Sequence, residues 1–62
     1  MNYKVHFENN KAIRCELVKN SNDTADFVVI NNERIFKSLV VYAQSEKEAL
    51  LQGNRIIEKL TM

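Results

Sequence analysis

Proline and tryptophan are absent from this 62-residue chain, and glycine, cysteine and histidine occur once each, as Gly53, Cys15 and His6. Each scarcity removes a class of chemistry. A single glycine cannot build the Gly-rich loop that cradles phosphates. A single cysteine cannot close an intrachain disulfide, which points to a reducing, cytoplasmic compartment and a core that rests on packing alone. His6 lies near Glu8 without the convergent ligands of a metal or acid–base centre, so no metal and no cofactor is expected. The carboxylates alternate with bases, as on a solvated surface, and no enzyme is expected. No apolar run approaches the roughly 18 residues needed to cross a bilayer, and MNYKVHFE has no apolar leader core, so the reading is a soluble protein with no membrane partner. Nine basic against eight acidic residues leave a formal charge of +1. The two signs are interleaved, which disfavours a nucleic-acid backbone as partner.

What is present is apolar patterning. Hydrophobic residues make up 45% of the chain, too many for disorder, and residues 1–62 read as a single domain with no repeat or linker. Tyr3, Val5 and Phe7 alternate with Lys4, His6 and Glu8, and Ile13, Cys15 and Leu17 alternate with Ala12, Arg14 and Glu16. Both have the period of a half-buried strand. Asn9 and Asn10 between them indicate a hairpin. A three-residue loop from Asn9 to Lys11 sets Phe7 opposite Ile13, Val5 opposite Cys15 and Tyr3 opposite Leu17, and burial favours it over a two-residue loop, with a bulge near a shorter turn as the alternative. Lys19 to Asp26 reads as a polar loop. Phe27 to Ile30 and Arg34 to Ala43 form a second hairpin, turning at Asn31 to Glu33, with Ile30 set opposite Ile35.

Gln44 ends the fourth strand, and Ser45-Glu46-Lys47-Glu48 is a capping box. From there Ala49, Gly53, Ile56, Ile57 and Leu60 share one helical stripe, with Leu50 at its margin and Leu51 facing away. The expected architecture is α+β: a four-stranded antiparallel sheet of two hairpins with one C-terminal helix, from about Glu46 to Leu60, packed on one face. Gly53 within the stripe suggests a close approach of helix to sheet.

One helix covers one face, yet the second hairpin is apolar on both. Strand alternation separates Phe27, Val29, Phe36, Val40 and Tyr42 from Val28, Ile30, Ile35, Leu39 and Val41. The first set is interrupted only by Ser38, whereas the second shares its face with Asp26 and Lys37, whose unpaired burial would cost several kcal/mol. The aromatic set is therefore assigned to the core. Val28, Ile30, Ile35, Leu39 and Val41, with Lys37 among them, become the candidate partner-binding surface.

The segment Val40 to Leu60 resembles the strand-to-helix junction of HicB-type antitoxins and of small phage-encoded inhibitor proteins. The shared features are a strand ending in Ala43, a capping Ser45 and Glu48-Ala49-Leu50 opening the helix. The resemblance implies a small bacterial or phage protein that works by binding another protein, such as an inhibitor of a host defence complex or polymerase. Two other readings remain open. One is a homodimer joined through the open face or by pairing of exposed edges. The other is a nucleic-acid module using the sheet face, which requires Phe27, Phe36 and Tyr42 to face solvent beside Lys37.

Overall fold

The computed structural model describes residues 1–19 and 26–61, so most of the polar loop read from Lys19 to Asp26 lies outside the described residues. Four strands, β1 (Asn2–Glu8), β2 (Lys11–Leu17), β3 (Asp26–Ile30) and β4 (Glu33–Tyr42), precede one helix, α1 (Glu46–Thr61). All strand pairs are antiparallel and the order across the sheet is β2-β1-β4-β3. The α+β architecture is the one that two alternating hairpins and one capped stripe predict. Among the described residues no helix is long and apolar enough to cross a membrane.

Both hairpins turn on an Asn-Asn pair in the left-handed region, with φ of 53° and 61° at Asn9 and Asn10 and of 53° and 66° at Asn31 and Asn32. Two successive left-handed residues match the twist of a two-residue hairpin loop, and asparagine tolerates that conformation better than other residues with a Cβ. The first loop is thus two residues long, not three. Tyr3 still faces Leu17 and Val5 still faces Cys15, but Phe7 faces Ala12, because a bulge at Ile13 absorbs the difference. The second loop is also shorter than the sequence suggests. Ile30 pairs with Glu33, Val28 with Ile35 and Phe27 with Phe36.

A second bulge decides which side of β4 is buried. Asp26 pairs with Ser38 while Phe27 pairs with Phe36, so Lys37 is the extra residue on β4. One inserted residue reverses the side-chain alternation beyond it. Phe36 points to the helix side before the bulge, and Leu39 and Val41 do so after it, directly opposite Val5 and Tyr3. Leu39 is 8% exposed and Val41 5%. The assignment of these two to the open face is therefore corrected: they belong to the core. Val40 and Tyr42, read as core, take the open face instead, and Tyr42 is 66% exposed.

The helix begins where the capping box places it. The Glu48 N–H donates to Ser45 Oγ at 3.2 Å, the Ala49 N–H donates to the Ser45 carbonyl at 2.9 Å, and Glu48 Oε2 reaches back to accept from the Gln44 N–H at 3.4 Å. Ala49, Gly53 and Ile57 are the buried line of α1, four residues apart on one face; Ala49 and Ile57 join Tyr3, Val5, Phe7, Phe36, Leu39, Val41 and Ala43 in one core, and Gly53 lies against Val5 and Phe7. Leu50 packs beside this core with Ala12 and Cys15. Leu51 is exposed, as its position opposite the stripe predicts, whereas Ile56 and Leu60, read as part of the stripe, are exposed as well. Ile13 and Leu17, read as core, are exposed. The helix lies over β2, β1 and the nearer part of β4, and it does not reach β3.

Candidate interaction surface

Because α1 stops short of β3, that strand lies against β4 alone among the described elements. All five of its residues are exposed, although Phe27, Val28, Val29 and Ile30 are apolar. With the first half of β4 it forms an arm that projects from the three-stranded, helix-covered body. On the helix side of the arm, Phe27 packs against buried Phe36 with ring centroids 5.3 Å apart. The Arg34 guanidinium lies 5.6 Å from the centre of the Phe27 ring, within cation–π range, so the ring's outer face is partly shielded. On the opposite side, Val28 and Ile35 pair across the strands, with Ile30 one step further along the same face.

The structure thus brings together Val28, Ile30 and Ile35 from the sequence-based candidate surface, with exposed Lys37 at the bulge. It separates them from Leu39 and Val41. The same face continues across β4 and β1 with Val40, exposed Tyr42, Lys4 and His6, whose alternation places them opposite the helix side. The signal for this exchange is Lys37-Ser38, two adjacent polar residues between Phe36 and Leu39 that break the strand's alternation. The nucleic-acid arrangement is met only in part: Phe27 and Tyr42 are exposed, but Phe36 is buried, with the Phe27 ring tilted against it.

The two edges of the sheet differ. β2 carries Lys11, Arg14 and Glu16 and a bulge, and its Ala12 N–H is already engaged, donating to Asn54 Oδ1 of the helix at 2.9 Å. Charges, bulges and a covering element are the devices that stop an edge strand from pairing with another chain. β3 has no Lys and no proline, no element among the described residues covers it, and Asp26 at its start is its only charge.

Polar groups elsewhere make local contacts. His6 Nε2 lies 3.0 Å from Glu16 Oε1 across the β1–β2 pair. The hydrogen bond from His6 is the main cause holding the Glu16 carboxyl below its ordinary range, with Arg14 and Lys4 adding to it. Cys15 is pushed the other way, upward, by burial first and by the Glu46 carboxylate second. A thiol so placed is a weak nucleophile, and its Sγ lies 3.6 Å from the Glu46 carbonyl it can donate to. An open hollow between the first turn and the helix is lined by Asn10, Lys11, Leu51, Asn54 and Arg55 among others. Among the described residues no group of three or more His, Cys, Asp or Glu side chains gathers as a metal site would require. No family model, curated protein or solved structure matches the chain.

Proposed function

We propose that this protein is a non-enzymatic protein-binding module whose contact element is the β3–β4 arm. The observation that carries the reading is a run of four consecutive apolar residues in β3 left exposed, against β4 alone among the described residues, while α1 is already committed to the rest of the sheet. Exposed apolar surface of this kind is costly to keep in water and marks sites that another surface covers. Val28, Ile30 and Ile35 supply the apolar contact, and Lys37 supplies a charge at its rim that suits an acidic partner residue. The resemblance of the Val40 to Leu60 junction to small phage-encoded inhibitors supports a narrower form of the reading, a phage- or mobile-element-encoded inhibitor that occupies a surface of a host machine such as a polymerase or a defence complex.

Nuclease-treated bacterial lysate passed over immobilised wild type and over an Ile35→Glu variant tests this. The expected result is a protein retained by the wild type and lost with the variant, at unchanged circular dichroism. Retention of the same proteins by both, or of none by either, overturns the reading.

A further inference from the structure

We infer that the β3 edge is occupied by a second copy of this chain, forming a two-fold dimer through antiparallel β3–β3 pairing, with a continuous sheet of eight strands. The Phe36 N–H is turned away from β3 and donates to Asn10 Oδ1 at 3.0 Å, so Phe27–Phe36 is the pair that exchanges no backbone hydrogen bonds. Alternation then aims the N–H and C=O groups of Phe27 and of Val29 outward from the sheet. These four groups have no partner among the described residues.

A two-fold axis at Val28 places Phe27 of one copy opposite Val29 of the other and satisfies all four groups in each copy. Val28 meets itself on the axis. Phe27 against Val29 is an aromatic–β-branched pair, one of the favourable cross-strand combinations. Asp26 falls opposite Ile30 of the second copy, so the only charge on the strand meets no like charge. Self-complementarity of this kind is what an isologous interface requires. The other edge supplies closure. β3 cannot continue onto β2 of a further copy, because that edge is bulged, charged and engaged by Asn54 at Ala12. Assembly therefore ends at two copies rather than growing as a filament.

The pairing uses main-chain groups at the edge and leaves Val28, Ile30 and Ile35 on the open face. It stands independently of the partner-binding proposal above. Sedimentation velocity over a dilution series tests it, with the wild type expected to pass from monomer to a species of twice the 7.2 kDa chain mass. Val29→Pro removes an outward N–H without breaking a bond to β4, a position where an edge strand accepts proline, and should weaken dimerisation by about tenfold or more. Val29→Lys, at a position already 61% exposed, should do the same by placing charge on the edge. The register is read in a Cys15→Ser background. Val28→Cys should cross-link under mild oxidation, because directly opposed residues lie within disulfide reach. Val29→Cys should not, since the two copies of that residue are offset by about 8 to 9 Å. A wild type that stays monomeric throughout, a dimer indifferent to both Val29 variants, or faster cross-linking from Val29→Cys overturns the proposal. Ile35→Glu should leave the dimer intact, which separates its outcome from that of the lysate experiment.

Discussion

Gly53 faces Val5 across the helix–sheet interface so closely that a methyl group built on its Cα would lie 3.0 Å from Val5 Cγ1 and 3.2 Å from the tip of the Phe7 ring. Val5 is fully buried and is β-branched, so its side chain is restricted about χ1 and has little freedom to retreat. A glycine inside a helix costs about 1 kcal/mol relative to alanine. Here that cost is accepted for the approach of α1 to β1. Gly53→Ala sets a gain in helix propensity against the contact with Val5, and a net loss of about 1 kcal/mol is expected. Gly53→Leu should cost about 1 to 3 kcal/mol more through overpacking. Chemical denaturation of the two variants checks the order, and a stabilised Gly53→Ala would show that the helix can move out freely.

Ser45→Ala should cost about 1 kcal/mol, because the Glu48 N–H loses its acceptor at the N-cap. Glu48→Ala removes the longer return contact to Gln44 and also the hydrogen bond to Gln52 one turn on. Thermal melts that left the Ser45→Ala midpoint unchanged would place the effective start of the helix elsewhere.

The two Asn-Asn turns are alike in backbone but not in side-chain duty. Asn10 accepts from the Phe36 N–H, tying the first turn to β4, whereas Asn32 is an exposed turn residue. Glycine relieves the left-handed strain at either position. Asn32→Gly should therefore be close to neutral, while Asn10→Gly should lose about 0.5 to 1.5 kcal/mol with the hydrogen bond. Asn32→Val should cost about 1 to 2 kcal/mol, since a β-branched residue resists this conformation. Equal melting midpoints for the two glycine variants would deny Asn10 its bridging role.

Elements whose signals are local were legible in the sequence. Alternation marked β1 and β2, apolar runs marked β3 and β4, and Ser45 with Glu48 marked the start of α1 to the residue. The bulge at Ile13 left no trace in the pattern, because a single inserted residue changes no propensity and is selected by which register buries more; at Lys37 the one trace was the adjacent polar pair Lys37-Ser38, which interrupts the alternation without fixing the register. The first bulge exchanged Ile13 for Ala12 beside the helix. The second mattered more, since it moved Leu39 and Val41 from the candidate surface into the core while leaving Val28, Ile30 and Ile35 outside. The sheet order was hidden for a related reason. Pairing of β1 with β4 is a long-range choice that places β3 at an edge, and nothing in the Phe27 to Ile30 run distinguishes an edge strand from a central one.

The bulge at Lys37 makes the sharpest prediction, because it requires residues of opposite parity on β4 to behave alike. Phe36 and Leu39 are an odd number of positions apart, and an unbroken strand would bury only one of them on the helix side. With the bulge both are buried, at 4% and 8% exposure. Phe36→Ala should lose about 3 to 5 kcal/mol, as truncation of a buried phenylalanine does. Leu39→Glu should unfold the chain outright, since a carboxylate would replace a core side chain opposite Val5 with no partner to offset its burial. Tyr42→Ala, three positions from Leu39 on the open face, should change stability by about 0.5 kcal/mol or less. Circular dichroism melts on the three variants decide the matter. A folded Leu39→Glu protein would mean that β4 runs without its bulge and that Leu39 faces solvent. The open face would then be the one that alternation alone assigns, and Val40 and Tyr42 would return to the core.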